Sequence, residues 1–406
     1  MKSLILNGRM TFRRKTACLL TILFSMAATV FLLVYPTFID STRAELEYAY
    51  DSVEVSGWLL NSRSYDDPAV DGEIWHALLD TGSIGAHYTY SKAEIKLFDA
   101  YSIGTKAGEM ATEQELKTAF NEVADERAKD KTKQYLQAVN VMEANDDLLR
   151  QAEDIQWLEG YSEECFSGEE TVCLLPEALG YLPGDWVPIR LKNLENETVI
   201  VCLQVAGVYP VNLNDNVCAV LPIQTMERLY LEEEWAFAVN GFSFIVKNNR
   251  NLPALKEMII GMGLDGSDKT LNIRAAIDDR ILNGTVSPIK SNLAMLEGLY
   301  RFFYVVVAAS SFFLCFLLAR GRKAEYAVMR LLGESMIQVT VKVLLEQLIL
   351  CLLGIFLGVA LLLILGQGSP SIAICGIILV CYTLGAAVAV LLIVRVNVME
   401  ILRDKE

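Results

Sequence analysis

Few residues in this chain have types and spacings that could do chemistry. The segment from Ala77 to Ser83 reads Ala-Leu-Leu-Asp-Thr-Gly-Ser, which places Asp80 between an apolar run and a turn. A carboxylate in such a loop can activate water for peptide hydrolysis when it shares a proton with a second carboxylate. The sequence has one loop of this kind, so a catalytic pair would need a symmetric dimer. The alternative is a strand ending in a turn, which Asp, Gly and Ser favour.

The other reactive residue types indicate no second chemistry. His76 and His87 are the two histidines, and no array of cysteines or carboxylates completes a metal site with them. No Gly-x4-Gly-Lys-Ser/Thr loop occurs, so we expect no ATP hydrolysis and no cofactor in this chain. Four cysteines outside the apolar runs permit three disulfide connectivities or free thiols. They are Cys165, Cys173, Cys202 and Cys218.

Four apolar runs predict membrane-spanning helices. They occupy residues 17–38, 299–319, 343–366 and 371–394, each near the ~20 residues that a helix needs to cross a bilayer. A signal peptide also begins basic and then turns apolar. The first run, however, exceeds the usual apolar core of ~7–15 residues, and no small-residue cleavage site follows it. We therefore expect it to remain as a helix.

Charge is segregated between the runs. Residues 40–298 contain 44 acidic and 21 basic side chains, a net charge of −23, and such a region would repel nucleic acid. Basic side chains predominate in 1–16 and 320–342, and basic loops stay in the cytoplasm. We expect a polytopic α-helical membrane protein with four transmembrane helices and cytoplasmic termini, 1–16 and 395–406. A large α+β extracytoplasmic domain, 39–298, follows the first helix, and an external connector, 367–370, precedes the last.

Composition divides the predicted extracytoplasmic domain into two parts. Residues 91–157 are rich in Ala, Glu, Lys and Leu and predict helices, one of them opened by a capping box from Thr112 to Glu115. From residue 170 onward, Val-, Ile- and Thr-rich segments between Gly, Pro and Asp turns predict strands. The predicted strands are 48–60, 171–176, 186–189, 198–209, 217–222 and 241–246, and a helix is expected over 253–262.

A short basic segment, 320–342, separates the second and third apolar runs. Ala324, Val328, Leu331 and Leu332 fall on one face of a helix, which Gly333 ends. Ser335 to Gln338 forms a capping box that opens the next helix. A basic interfacial linker is the alternative, but a linker needs neither an apolar stripe nor a firm cap. We call the following residues the candidate coupling segment: Arg322, Lys323, Glu325, Val328, Arg330, Leu331, Leu332 and Gly333.

Two features of the third run concern helix packing. Glu346 lies one turn inside it, where a carboxylate either pairs with a cation or reaches back to the membrane boundary. Gly354 and Gly358 form a small-xxx-small pattern, which allows two helices to approach closely.

The order of these motifs resembles the MacB/FtsX-like permeases of ABC transporters. The resemblance rests on Arg322-Lys-Ala-Glu325, Arg330-Leu-Leu-Gly333, Glu346, Gly354 and Gly358. Further motifs also match it: Leu19-Leu-Thr-Ile-Leu23 after Arg13-Arg14-Lys15, Leu175-Pro-Glu-Ala-Leu-Gly180, Pro183-Gly-Asp185, Val205-Ala-Gly-Val208 and Glu400-Ile-Leu-Arg403. The sequence departs from the pattern at Tyr326-Ala327, where Ile-Gly is usual, and at Val398, where Pro is usual.

The resemblance implies a non-catalytic permease subunit in a bacterial plasma membrane. A separate cytoplasmic ABC ATPase would bind ATP and dock on 320–339, and a second permease copy would complete the complex. The implied partners also include membrane lipid and an extracytoplasmic accessory protein, and the implied cargo is a peptide, lipid or toxic compound. Two alternatives remain open: an FtsX-like regulator of a cell-wall hydrolase, and a membrane-anchored aspartic protease acting through Asp80.

Overall fold

The structure is a computed structural model that describes residues 15–63, 67–104, 112–127, 132–266, 272–366 and 371–394. The basic N-terminal residues 1–14, the predicted connector 367–370 and the predicted tail 395–406 lie outside the described residues. The chain divides into two units. We call Met1–Ala49 with Gly284–Glu406 the helical unit, and Tyr50–Asn283 the sheet unit.

Eleven α-helices occur in the described residues. They are α1 (Lys15–Ser52), α2 (Gly72–Asp80), α3 (Ala100–Ile103), α4 (Glu113–Glu126), α5 (Asp146–Leu149), α6 (Ile223–Glu232), α7 (Leu252–Gly261), α8 (Arg280–Arg320), α9 (Lys323–Leu331), α10 (Met336–Ile364) and α11 (Ile372–Val394). The predicted capping box of α4 is present, since Thr112 and Glu115 each accept a backbone N–H of the other residue. A cap of this kind satisfies two N–H groups that the first helical turn leaves without partners.

Four helices, α1, α8, α10 and α11, are long and apolar enough to cross a membrane, which confirms the four predicted runs. Three of them extend beyond those runs: α1 continues to Ser52, α8 begins at Arg280 and α10 begins at Met336. The predicted strand over 48–60 is therefore wrong in its first eight residues, since 48–52 belong to α1 and the strand begins at Ser56. In α1 the buried residues Ile39, Leu46 and Ala49 recur at helical spacing, which favours continuation of the helix.

Twelve strands occur in the described residues. They are β1 (Ser56–Asn61), β2 (Val70–Asp71), β3 (Ile84–Lys96), β4 (Gln134–Val139), β5 (Gln156–Trp157), β6 (Val172–Pro176), β7 (Trp186–Lys192), β8 (Thr198–Tyr209), β9 (Val217–Pro222), β10 (Ala238–Val239), β11 (Gly241–Val246) and β12 (Ile273–Asp278). One mixed sheet has the order β12-β1-β11-β3-β4-β9-β6-β8-β5, with β7 paired to both β3 and β8. Strands β10 and β2 form a separate pair. The predicted strands from residue 171 onward are present. The predicted fold class is also confirmed: four apolar helices, with an α+β domain after the first.

The predicted helical segment 91–157 is wrong in part. Its first residues complete β3, and β4 lies in its middle, between α4 and α5. The reason is visible in β3, where Ser91, Ala93 and Ile95 are buried while Lys92 and Glu94 are more accessible. This alternation with a period of two places one face of the strand in the core, and it prevails over the helix-forming composition.

Candidate functional site

Helix α9 contains most of the candidate coupling segment and has well-defined ends. It begins after Arg322, and Gly333 follows it with a φ of +94°, a conformation that favours glycine. The capping box predicted between Ser335 and Gln338 is present and opens α10. A short helix, a glycine and a capped helix therefore follow α8 in the predicted order.

One side of α9 is fixed against the other helices of the helical unit. Tyr326 and Ala327 are buried, and Tyr326 belongs to an apolar cluster with residues of three helices. The buried members of this cluster are Ala319 of α8, Val339 and Val343 of α10, and Val390 of α11. Tyr326 therefore packs α9 against α8, α10 and α11, and Ala327 is buried beside it.

The opposite side of α9 is apolar and accessible. Val328 is 53% exposed, Leu331 is 63% exposed and Leu332 is 80% exposed. Arg330 is partly buried, and the structure does not describe the side chains of Lys323 and Ala324. Three neighbouring apolar side chains on a helix that is already fixed form a surface suited to a protein partner.

Arg322 joins the coupling segment to α10 through an ion pair. Its Nη1 lies 2.8 Å and 2.9 Å from the two carboxylate oxygens of Glu346, and its Nε lies 2.9 Å from Glu325 Oε2. The Arg322 and Glu346 side chains are only 16% and 17% exposed. Burial by itself lowers the pKa of the Arg322 guanidinium, but Tyr326 and the two carboxylates raise it above its ordinary value. The pairing alternative for Glu346 is therefore the one observed, and Arg322 faces inward, away from a docking surface.

The two glycines of α10 contact hydroxyl-bearing residues of α1. A Cβ atom placed on Gly354 would lie 2.7 Å from the Ile22 carbonyl oxygen, and one on Gly358 would lie 3.1 Å from the Met26 carbonyl oxygen. Ser25 and Thr29 supply the neighbouring side chains, and both are buried. The small-xxx-small pattern thus marks a close contact between α1 and α10.

A second close contact, between α8 and α11, was not predicted. A Cβ atom on Gly385 would lie 2.7 Å from the Ala308 carbonyl oxygen and 2.9 Å from the Phe312 amide nitrogen. Ser311 fills the adjacent space and is fully buried. Gly376 also lies on α11, but a Cβ atom placed there would have no atom within 4 Å. A glycine in an apolar run therefore does not by itself reveal a close helix contact.

A buried polar cluster connects all four apolar helices. The Tyr382 hydroxyl of α11 lies 3.3 Å from Gln347 Oε1 of α10 and 3.6 Å from Cys315 Sγ of α8. It also hydrogen-bonds Thr21 of α1. Because a polar group inside an apolar bundle needs an internal partner, this cluster fixes the rotation of each helix about its axis.

An aromatic cluster joins α1 and α8 near Pro36. A proline within a helix has no N–H for the carbonyl four residues earlier, here that of Leu32. The Tyr300 hydroxyl lies 3.5 Å from that carbonyl oxygen and accepts a hydrogen bond of 2.6 Å from Tyr304. The Tyr300 and Tyr35 rings stack with their centroids 5.6 Å apart. Tyrosines of α8 thus compensate for the interrupted helix in α1.

The segment that contains Asp80 differs from the predicted strand end. Asp80 is the last residue of α2 and is exposed, so the segment is a helix end and the strand alternative is wrong. The burial of Trp75 and Leu78, three residues apart, explains the helix. The four cysteines outside the apolar runs are unpaired, and Cys173 is fully buried. Among the described residues, no cluster of His, Cys, Asp and Glu could hold a metal ion.

Comparisons with known proteins give distant structural likenesses. No protein-family model matches the sequence, and no curated protein matches it. Among solved structures, the extracellular domain of the noncanonical ABC-type transporter YknZ from Gram-positive bacteria aligns with a TM-score of 0.28 at 9% identity, over 54% of this chain and 99% of that chain. A domain of a permease protein from Porphyromonas gingivalis aligns with a TM-score of 0.25 at 10% identity, over 56% of this chain and 90% of that chain. The function proposed below rests on the residues of this chain.

Proposed function

We propose that this protein is the membrane-spanning subunit of a MacB/FtsX-like ABC transporter. In this proposal 39–298 lies outside the cell, and 1–16, 320–342 and 395–406 lie inside. A separate cytoplasmic ATPase docks on the candidate coupling segment, and a second permease copy completes the complex. ATP-driven motion of the ATPase is relayed through the helices to the external domain, which extrudes a peptide, lipid or toxic compound.

The observation that carries the proposal is the two-sided character of α9. One side is buried with residues of three apolar helices, and the other presents Val328, Leu331 and Leu332. A helix attached in this way can transmit a push only if a partner holds its free side. The sequence lacks a phosphate-binding Gly-x4-Gly-Lys-Ser/Thr loop, so the work must come from another chain.

The contacts of α10 supply a path for the relay. Arg322 is paired with Glu346 of α10, and the same helix contacts α1 closely at Gly354 and Gly358. Displacing α9 would therefore displace α10 and α1 together, because packed interfaces shift between discrete arrangements more readily than they deform. In this proposal the helices act as levers.

The docking surface is tested by Leu331→Asp. If Leu331 is buried against an ATPase, an unpaired carboxylate there should weaken the complex by at least about tenfold, since every ~1.4 kcal/mol of lost binding is a factor of ten. We expect the variant to reach the membrane in normal amounts and to lose stimulation of the ATPase. Copurification with the ATPase and ATP turnover in nanodiscs measure the two effects.

Leu194→Asp is the matched control. Leu194 is also an exposed leucine, but it belongs to the sheet unit, in the turn between β7 and β8. We expect this variant to bind and stimulate the ATPase like the wild type. Undiminished ATPase binding by Leu331→Asp, or an equal loss in both variants, would contradict docking on α9.

The membrane orientation is tested by labelling introduced cysteines in intact cells. Leu194→Cys should react with an impermeant maleimide, whereas Leu332→Cys should react only after the membrane is opened. Both positions are highly exposed, so a difference in reactivity reports the side of the membrane. The wild-type chain, with its nine cysteines, sets the baseline. The reverse pattern would refute the topology and with it cytoplasmic docking.

A further inference from the structure

An open cleft of about 870 Å³ lies on the sheet unit, over strands β1, β11 and β3. Its volume falls within the range of small-molecule sites, ~300–1,000 Å³. None of its lining residues belongs to the candidate coupling segment or to the apolar helices. The cleft is therefore independent of the site described above.

The strand register places two aromatic residues on opposite sides of the cleft. Trp58 of β1 is paired with Ser243 of β11, and Ser243 is paired in turn with Tyr88 of β3. Directly paired residues point to the same face of a sheet, so Trp58, Ser243 and Tyr88 share one face. All three line the cleft, and Trp58 and Tyr88 are both accessible to solvent.

The spacing between the two aromatic residues leaves room for a flat or rounded apolar group. Trp58 and Tyr88 are two strands apart, about 10 Å between backbones, because neighbouring strands lie ~4.8 Å apart. The residue between them is the small Ser243. At the next pair on this face, Gly241 stands opposite Tyr90, whose ring occupies the space that a side chain at Gly241 would need. The cleft thus has two aromatic walls, and small residues with a third aromatic ring form its floor.

The charge around the cleft favours a cation. Residues 40–298, which include every residue that lines the cleft, carry a net charge of −23. The cleft itself is lined by two carboxylates, Glu143 and Asp67, and one guanidinium, Arg63. Aromatic faces attract cations through the negative charge density of the ring, most strongly for Trp. The net negative charge of this region raises the local concentration of a cationic ligand further.

We propose that this cleft is a binding site for a hydrophobic cation, a ligand with an apolar body and one positive group. The apolar body lies between Trp58 and Tyr88, and the positive group faces their rings and Glu143. The site does not rest on the proposed transport function, since it needs neither ATP nor a partner chain. It gives the sheet unit a chemical selectivity of its own.

The probe is tetraphenylphosphonium, compared with tetraphenylborate, an anion of nearly the same size and shape. Equilibrium dialysis of the full chain in a neutral detergent, corrected for protein-free micelles, measures the two dissociation constants. We expect the cation to bind at least about tenfold more tightly than the anion. Raising the salt concentration from about 0.05 M to 0.5 M should weaken binding of the cation, because salt screens exposed charges.

The variants Trp58→Ala and Tyr88→Ala locate the site. Each should weaken tetraphenylphosphonium binding about fivefold to tenfold, and Glu143→Gln should weaken it about threefold. The partly exposed Tyr88 provides the test if Trp58→Ala does not fold. Trp186→Ala is the matched control, because Trp186 is also a partly exposed strand tryptophan but does not line the cleft.

Three results would overturn the proposal. The first is the absence of tetraphenylphosphonium binding beyond that of empty micelles. The second is equal affinity for the cation and the anion, which would show an apolar surface without charge selectivity. The third is unchanged affinity in a folded Tyr88→Ala variant. Since no ATPase is present in these measurements, failure here leaves the docking proposal for α9 unaffected.

Discussion

The helical unit and the sheet unit differ in how their small buried polar side chains find hydrogen-bond partners. In the helical unit, three buried serine and threonine hydroxyls bond within their own helix, to the carbonyl four residues earlier. Ser25 donates to Thr21 at 2.9 Å, Thr29 to Ser25 at 2.7 Å and Ser311 to Val307 at 2.6 Å. In the sheet unit the corresponding bonds join separate segments. Thr225 donates to the Glu170 carbonyl at 2.6 Å, and Asn249 donates to the Tyr50 carbonyl at 2.9 Å.

The difference separates two uses of polar residues. A serine or threonine hydroxyl that bonds within its own helix belongs to a small side chain and needs no partner on another helix. A neighbouring helix can therefore approach it closely. The contacts of Gly354 with Ser25 and of Gly385 with Ser311 follow this rule. An asparagine that bonds two backbone carbonyls instead holds a connection in place. Shape therefore governs the glycine contacts of the helical unit, whereas a hydrogen bond governs the connection that Asn249 makes in the sheet unit.

The largest effect should come from a change of shape in the helical unit. Gly354→Leu would force a side chain into the backbone of α1, since even a Cβ atom would lie 2.7 Å from the Ile22 carbonyl oxygen. We expect a loss of about 3 kcal/mol in the free energy of unfolding. Thiol labelling of the fully buried Cys351 during heating, read by mass spectrometry, measures it.

Gly376→Leu is the matched control for this prediction. Gly376 lies on α11, and a Cβ atom there meets nothing within 4 Å. Labelling of Cys351 should follow the wild-type temperature dependence in this variant. If Cys351 becomes labelled at the same lowered temperature in both leucine variants, the glycines act through helix flexibility and the shape argument is wrong.

A smaller effect is expected from removal of a connecting hydrogen bond in the sheet unit. Asn249→Ala deletes the bonds from Nδ2 to the Tyr50 and Val53 carbonyls, of 2.9 Å and 2.5 Å. We expect the free energy of unfolding to fall by about 2 kcal/mol, because two partly buried carbonyls then lose the amide as their hydrogen-bond partner. Tryptophan fluorescence measures this unit selectively, since all five tryptophans lie between Trp58 and Trp235.

The exposed Asn212 offers the comparison for Asn249. Asn212→Ala should leave the unfolding midpoint unchanged, because this side chain is accessible to water in the folded chain. Equal stability of the Asn249 and Asn212 variants would show that the connection after α1 is held by other contacts.

Features set by neighbouring residues were predictable from the sequence. The apolar runs, the two capping boxes and the glycine after α9 depend on residues within a few positions of one another. The prediction over 91–157 is wrong in part because its helix-forming composition conflicts with the periodicity of the segments that form β3 and β4. The alternation of buried and accessible residues from Ser91 to Lys96 is typical of a strand. The six residues of Gln134–Val139 are too few for their pattern to identify a strand between two helices.

Features set by pairing between distant segments were not predictable. Glu346 could be recognised as needing a partner, but Arg322 lies 24 residues away, in a segment that also offers Lys323 and Arg330. Gly385 and Gly376 look alike in the sequence, and only the position of α8 distinguishes them. The polar cluster of Tyr382, Gln347 and Cys315 likewise depends on which helix faces are brought together.

The smallest effect should come from Ser25→Ala. The Ser25 hydroxyl donates to the Thr21 carbonyl of its own helix, and removing it leaves no unpaired group on α10. We expect a change below about 0.5 kcal/mol, measured by Cys351 labelling as for Gly354. Ser25→Leu, which overfills the contact with Gly354, should instead approach the loss seen for Gly354→Leu. If Ser25→Ala lowers the free energy of unfolding as much as Asn249→Ala does, the Ser25 hydroxyl must bond to a neighbouring helix. Small buried polar side chains would then connect separate segments in both units.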